Sequence, residues 1–150
     1  MILNELLTRQ NVITKVELKD GEKELSKGLK VKIMRIRLAY NKVKKALDED
    51  VKEFVDQLTT EEYKELAVKQ NKTEEEEARY NELSSKINSD YMEFINQKGF
   101  EEVNESIDDN FSEDEYNEIL EVNAGNDVTI NGNDLKAADF LEAFYEIFVK

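Results

Sequence analysis

The chain has 150 residues, of which 39% are apolar and 37% are charged, and its formal net charge is −14. It contains no proline, cysteine, histidine or tryptophan, which excludes disulfide frameworks, thiolate metal sites and mechanisms that use histidine as the base or the zinc ligand. This length is typical of one domain that is large enough to bury a hydrophobic core.

The charges are unevenly distributed along the chain. Residues 1–98 carry 19 basic and 20 acidic side chains, a sum of −1, whereas residues 99–150 carry 2 basic and 15 acidic side chains, a sum of −13. Residues 23–45 hold nine lysine or arginine residues and a single acid. We therefore divide the chain into residues 1–98, a strand plus a long helical hairpin, and residues 99–150, an acidic C-terminal lobe ending in an aromatic helix. Both parts are expected to form one compact unit.

A short helix and a strand are the first elements predicted. Ile2, Leu3, Leu6 and Leu7 have the spacing of an opening helix. Apolar and polar residues then alternate over residues 12–18, which predicts a strand that ends at the turn pair Asp20-Gly21. Its partner strand is either residues 128–130 or the residues just after the turn.

A long helix over residues 25–58 gives the strongest periodic signal. Apolar residues recur every three or four positions at Leu25, Leu29, Ile33, Ile36, Tyr40, Val43, Leu47, Val51, Phe54 and Leu58. A second apolar set falls on the opposite face at Val31, Met34 and Leu38. This second set predicts that the first half of the helix is covered on two sides.

Residues 59–99 are predicted to form the second arm of a hairpin. Residues 59–62 have the pattern of a turn and capping box, and a second capping box at Thr73 and Glu76 restarts the helix, which then runs to Gly99. We predict an antiparallel hairpin of residues 29–58 against residues 60–97. Such a hairpin brings Lys42, Lys44 and Lys45 close to the four glutamates at residues 74–77.

The C-terminal part alternates between loops, helices and one short strand. Residues 101–110 are predicted to be a loop or short helix, and a third capping box at Ser112 and Glu115 precedes a helix. A strand at residues 128–130 and a turn at residues 131–132 lead to a final helix that Asn133 or Asp134 caps. From Phe140 onward apolar residues nearly encircle this helix, so it must be buried in its own core or in a neighbour. The fold class is therefore α+β and mostly α, with a long antiparallel helical hairpin, a few short strands and a C-terminal helix.

Carboxylate patterns are the main candidates for chemistry. Asp127, Thr129, Asn131 and Gly132 match the opening of a calcium-binding loop, but Ala138 stands at the twelfth position, where a bidentate glutamate is required. A turn before a helix explains these residues better. The glutamates at residues 74–77 suit the first turn of a helix, where the helix dipole favours acids. We therefore predict no metal, no cofactor and no enzymatic activity.

Nucleic acids and membranes are also weak candidates for partners. The basic segment carries the charge that phosphate contacts need, but the whole chain repels phosphate, so we do not expect direct nucleic-acid binding. No apolar run reaches the roughly 20 residues that cross a bilayer, and the first residues lack the basic start of a signal peptide. The sequence predicts an intracellular protein that does not use a membrane.

The layout resembles small acidic phage proteins encoded among virion structural genes. The shared pattern is a basic, apolar-striped helix at residues 27–47, a glutamate-rich helical hairpin, and a short strand with a Gly-x-Asp turn at residues 130–134 before an aromatic helix that reaches Phe148. A composition rich in Lys, Glu and Asn and free of proline is also similar to that of phages of AT-rich hosts. The resemblance covers most of the chain and carries over no functional residue.

We expect a non-enzymatic bacteriophage virion structural or assembly protein, a component of the head, neck or tail that acts through protein–protein contacts. Its location would be the virion, or the host cytoplasm during assembly, and its partners would be other virion proteins or further copies of itself. The alternative is an acidic DNA mimic that inhibits a host nucleic-acid enzyme. The residues expected to contact partners are Lys42, Lys44, Lys45, Phe140, Phe144, Tyr145 and Phe148.

Overall fold

A computed structural model describes residues 1–150 and contains six helices and two small antiparallel sheets. The helices are α1 (Leu3–Ile13), α2 (Lys27–Leu58), α3 (Glu61–Val68), α4 (Glu74–Gly99), α5 (Glu113–Asn123) and α6 (Ala137–Phe148). The strands are β1 (Lys19–Asp20), β2 (Lys23–Glu24), β3 (Val128–Ile130) and β4 (Asn133–Leu135). The predicted class, mostly α with a few short strands and a C-terminal helix, is confirmed.

Two compact units make up the chain. The core unit consists of Met1–Val43 together with Glu102–Lys150, and the hairpin unit consists of Lys44–Glu101. α2 contributes its first half to the core unit and its second half to the hairpin unit. Because both ends of the chain belong to the core unit, this unit includes residues on both sides of position 98, where the charge distribution changes.

All of the buried large apolar side chains lie in the core unit. They come from α1, the first half of α2, α5 and α6, and from three residues between these helices: Val16, Leu25 and Phe111. The ring of Phe111 lies 5.2 Å from that of Phe144 and 5.9 Å from that of Phe148, measured between centroids. The aromatic C-terminal helix was predicted to be buried either in the chain's own core or in a neighbour. In the structure it is buried in the chain's own core.

Each two-stranded sheet of the core unit connects two helices. β1 and β2 join α1 to α2 through a turn at Gly21, whose φ is +63°, and β3 and β4 join α5 to α6 through Asn131 and Gly132, whose φ values are +51° and +77°. These positive φ values match the turn types that fit the twist of two-residue hairpins. The turn at residues 131–132 is therefore confirmed, whereas the first turn lies one residue later than predicted, at Gly21 and Glu22, because Asp20 belongs to β1.

The predicted strand at residues 12–18 is wrong. Val12 and Ile13 form the end of α1, and Val16 follows the turn at residues 14–15; all three side chains are buried. A strand would point Val12 and Ile13 to opposite faces, whereas a helical path brings both toward one core. The short strand lies later, at β1, and pairs with the residues just after the turn.

The predicted cap of the last helix is also wrong. Asn133 and Asp134 belong to β4, and α6 begins at Ala137. The first free N–H group of α6, on Ala137, instead donates to Asp127 Oδ1 over 3.0 Å. The capping carboxylate is thus ten residues away in sequence, and a local capping pattern does not reveal it.

The hairpin unit consists of the second half of α2, α3 and the antiparallel α4. Phe54 stacks on Phe94 with centroids 4.0 Å apart, and Tyr63 stacks on Tyr80 at 5.4 Å, so α2 and α3 pair with successive segments of α4. The chain reverses between α3 and α4, where Asn71 has a φ of +56°. At residues 59–60 it only passes from α2 to α3, and there the Thr60 hydroxyl, rather than a capping box, accepts the Tyr63 N–H.

This later reversal changes the predicted register of the hairpin. Glu76 pairs with Lys69, and Lys42 pairs with Glu105. The predicted pairing of Lys42, Lys44 and Lys45 with residues 74–77 is therefore wrong, because the first arm of the hairpin includes α3. The capping boxes at Thr73 and at Ser112 are both confirmed.

Candidate protein-binding surface

α2 carries apolar side chains on two opposite faces. The residues that face the core are Leu29, Ile33, Ile36 and Tyr40, and none is more than 3% exposed. Val31, Met34 and Leu38, which we call the α2 stripe, are 37%, 52% and 67% exposed. Each lies two positions from a core-facing residue, and a step of two residues rotates about 200° around a helix. The first half of α2 was predicted to be covered on two sides. The chain itself covers only the side that faces the core.

The spacing of the α2 stripe makes it a continuous ridge. Its members follow one another by three and four residues, which aligns their side chains along one face. Isolated exposed apolar residues are common on protein surfaces, whereas contiguous ones mark interaction sites. Helices that dock in a partner's groove use anchors at this same spacing.

Basic side chains border the α2 stripe. Lys27 precedes Val31 by four residues and Arg35 follows it by four; neither cation forms an ion pair within the chain. On α2 itself the surface is therefore apolar at its centre and positive at its edge.

One of the three predicted lysines belongs to this surface. Lys42 lies four residues after Leu38 and therefore shares the face of the α2 stripe, whereas Lys44 and Lys45 belong to the hairpin unit. Lys42 makes a 3.1 Å ion pair with Glu105, but its side chain is 75% exposed, so this pair contributes little. Lys44 is also exposed, yet its spacing of six from Leu38 turns it toward another face.

A groove of about 500 Å³ lies beside the α2 stripe. One wall is α2 and the other is the loop at residues 105–108. Val31 and Arg35 line this groove together with Ile107, so the apolar surface of the stripe continues into it. A partner that covers the stripe would meet a concave surface along one side.

A buried carboxylate fixes the loop that forms the second wall. Asp109 is 4% exposed and accepts hydrogen bonds from Arg9 Nη1, at 2.9 Å, and from the hydroxyl of Tyr40. Burial and the hydrogen bond to Asp109 raise the pKa of Tyr40, so its phenol stays protonated and donates. Because Arg9 lies on α1 and Tyr40 on α2, this cluster joins the loop to both helices.

A second surface, on α5 and α6, is acidic. Leu120 is 40% exposed and Tyr145 is 38% exposed. The ring of Tyr116 lies 4.9 Å from that of Tyr145, so an aromatic pair connects the two helices at this surface. Asp114 lies six residues from Leu120 and Asp139 six from Tyr145, so both point to other faces of their helices. The exposed carboxylates without ion pairs that lie closer to Leu120 and Tyr145 are Glu113, Glu121, Glu142 and Glu146. We call these residues, with Leu120 and Tyr145, the acidic α5–α6 face.

Contacts among these groups show that carboxylates gather around the two tyrosines. The Tyr145 hydroxyl donates to Glu113, and this hydrogen bond raises the pKa of Tyr145. Burial, followed by the negative charges of Glu113 and Glu142, raises the pKa of Tyr116. The acidic α5–α6 face therefore combines a small apolar centre with a negative edge.

The structure divides the predicted aromatic contact residues. Phe140, Phe144 and Phe148 are fully buried in the core unit, whereas Tyr145 is exposed. The three phenylalanines therefore belong to the core and are not available to a partner in this structure. Neither the α2 stripe nor Leu120 was predicted to contact a partner, although the spacing of Val31, Met34 and Leu38 places a second apolar set on α2.

Part of the basic segment and part of the acidic lobe close on each other within the core unit. Lys32 pairs with Glu115 at 2.9 Å, and the backbone N–H of Ser26 donates to Glu118 at 3.0 Å. Partial burial acts to raise the pKa of Glu115, but the hydrogen bonds from Ser112 and Lys32 hold it below its usual value. The basic side chains beside the α2 stripe and the carboxylates of the acidic α5–α6 face take no part in these internal pairs.

The residues that match a calcium-loop opening have other partners. Asp127 accepts the Ala137 N–H and lies 3.5 Å from Lys136 Nζ, and the Thr129 hydroxyl donates to Asp134 over 2.7 Å. No group of three or more acidic side chains is placed where it could hold a metal ion. These residues therefore form the β3–β4 hairpin and the start of α6.

The chain matches no protein-family model, no curated protein and no solved structure. None of its helices combines the length and the apolar character needed to span a bilayer.

Proposed function

We propose that the protein is a non-enzymatic structural or assembly component of a bacteriophage virion, in the head, neck or tail, and that it acts through protein–protein contacts. The observation that carries this proposal is the α2 stripe, an exposed apolar ridge on the face of α2 opposite the core. Apolar surface in water is unfavourable by about 25 cal/mol per Å² relative to its burial. A helix with two apolar faces is therefore suited to an assembly in which a partner covers the second face.

The phage assignment rests on the resemblance in layout. A basic, apolar-striped helix, a glutamate-rich hairpin and a closing aromatic helix are shared with small acidic proteins encoded among phage virion genes. The location that follows is the virion, or the host cytoplasm during assembly. The partners are other virion proteins or further copies of the chain.

The acidic α5–α6 face favours a second candidate, a DNA mimic that inhibits a host nucleic-acid enzyme. The exposed carboxylates of this face, which form no ion pairs, could occupy a channel that binds phosphates. A mimic of duplex DNA needs an uninterrupted double row of such charges. Leu120 and Tyr145 interrupt the rows here, and for this reason the assembly role is the better-supported proposal.

The test is to recover the untagged protein from its native source and identify the co-purifying proteins by mass spectrometry. Stoichiometric recovery with capsid, portal or tail proteins is expected. Recovery with a host polymerase, nuclease or helicase, together with absence from particles, would overturn the assembly role and favour the mimic.

Matched variants connect this test to the α2 stripe. Met34→Lys combined with Leu38→Lys is expected to remove the protein from particles, because it charges the ridge without touching the core. Val68→Lys makes the same kind of change at a residue of α3 that is 80% exposed and lies outside the stripe. This control should enter particles as the wild type does.

A further inference from the structure

We propose that the α2 stripe of one copy of this chain docks on the acidic α5–α6 face of a second copy. This inference rests on the proposed assembly role and names the partner. Both surfaces lie in the core unit, and each has an apolar centre with a charged edge. The edges have opposite signs, which makes the two surfaces complementary.

The charges available for this contact are not used in ion pairs inside the chain, apart from that of Lys42. On the α2 side they are Lys27 and Arg35, with Lys42 engaged only in an exposed ion pair. On the other side they are the exposed carboxylates of the acidic α5–α6 face, none of which forms an ion pair. The internal pairs, such as Lys32 with Glu115, use different residues.

The apolar centres supply affinity, and the charges supply orientation. Leu38 and Met34 are more than half exposed, and Leu120 and Tyr145 are each more than a third exposed, so all four have surface left to bury. Exposed ion pairs add little energy individually, but complementary potentials speed association and fix the register. The contact is therefore expected to weaken as salt concentration rises.

Charge also decides between the two kinds of contact that identical copies can make. A symmetric contact of one α2 stripe with another would place Arg35 and the neighbouring lysines against like charges. Such repulsion disfavours the symmetric pair. A contact between two different surfaces is head to tail, and it produces a closed ring or an open helical array.

The test is sedimentation velocity of the full chain with one variant for each surface. The stripe variant is Met34→Lys with Leu38→Lys, and the face variant is Glu142→Lys with Glu146→Lys. The wild type is expected to form larger species as its concentration rises. Each variant alone should associate about tenfold more weakly or worse.

Mixing the two variants gives the most specific outcome. Each variant keeps one intact surface, so an equimolar mixture should form a 1:1 dimer and no larger species. Val68→Lys and Glu75→Lys make the same chemical changes outside both surfaces and should associate as the wild type does. Circular dichroism confirms that each variant keeps the helical content of the wild type.

Several results would overturn the inference. These are a wild type that stays monomeric up to about 1 mM, a mixture that forms no dimer, and association that the face variant leaves intact. A monomeric wild type that is nevertheless found in particles would leave the assembly role standing. If the protein associates with itself but is absent from particles, the docking inference stands and the assembly role fails. The two failures are therefore distinguishable.

Discussion

At the scale of single residues, the carboxylate of Asp109 joins three parts of the core unit. It accepts hydrogen bonds from Arg9 on α1 and Tyr40 on α2 while lying in the loop before α5. Asp109→Ala is expected to lower the free energy of unfolding by about 3–5 kcal/mol, because the largely buried Arg9 guanidinium would lose its buried counter-charge and keep only the exposed Glu5. Urea unfolding followed by circular dichroism measures this change.

The neighbouring acid provides the control for Asp109. Asp108 is exposed, and Asp108→Ala should change the free energy of unfolding by no more than about 0.5 kcal/mol. Tyr40→Phe removes only one hydroxyl and should lower it by about 1 kcal/mol. Equal effects of Asp108→Ala and Asp109→Ala would contradict the role given to the buried cluster.

Phe144 and Tyr145 are adjacent in sequence but have different environments. Phe144 is fully buried against Phe111 and Phe148, so Phe144→Ala should lower the free energy of unfolding by about 3–5 kcal/mol. Tyr145→Ala removes an exposed ring and should cost about 1 kcal/mol or less. The comparison requires only equilibrium unfolding, and a larger loss for Tyr145→Ala would mean that the core lies on the other face of α6.

At the scale of elements, the connection between α3 and α4 determines where the hairpin reverses. Asn71 has a φ of +56°, in the left-handed region that asparagine and glycine tolerate best. Asn71→Val should destabilise the hairpin unit by about 1–2 kcal/mol, whereas Asn71→Gly should be nearly neutral. Thermal unfolding by circular dichroism would reveal the difference, and equal effects of both substitutions would place the reversal elsewhere.

The first turn of α4 should show a distinct titration. Hydrogen bonds from Lys69 and from the Thr73 backbone lower the pKa of Glu76 from its ordinary value of 4.5 to about 2. Because the folded-state pKa is lowered, the stabilisation is fully present above the ordinary value and is lost as pH falls toward 2. Carbon-detected NMR of the Glu76 carboxyl should show this low midpoint. Lys69→Met should raise it, and an unchanged midpoint would exclude Lys69 as the main cause.

At the scale of the whole molecule, the two units differ in how they bury apolar surface. The core unit contains every fully buried large apolar side chain, while the stacked aromatic residues of the hairpin unit, such as Phe54 and Phe94, stay half-buried. Local opening is easier where few apolar contacts are buried. Backbone amides of α1, α6 and the first half of α2 should therefore exchange more slowly than those of α3 and α4.

α2 provides an internal control for this prediction, because one continuous helix belongs to both units. Its amides before Val43 should be better protected than those after Val43, although the backbone hydrogen bonding is the same. Hydrogen–deuterium exchange with mass spectrometry measures both halves in one experiment. Uniform protection along α2 would contradict the inferred difference between the two units.

The local features of this protein follow from the sequence alone. The 3.6-residue period predicted the long helix that the structure has as α2, and the capping boxes at Thr73 and Ser112 predicted where α4 and α5 begin. Asn131-Gly132 predicted a two-residue turn correctly. These features depend on interactions between residues that are at most four apart, so their causes are visible in the sequence.

Features that depend on distant residues were decided by the tertiary structure. Periodicity identified two apolar faces on α2, but only packing determined that Ile33 is buried and Leu38 is left in water. Packing also placed Phe140, Phe144 and Phe148 in the core, and it brought Asp127 to the start of α6 and Asp109 to Arg9. A hydrophobic period gives the direction of a side chain around its own helix, whereas the partner on that side comes from chain segments that can be 100 residues away.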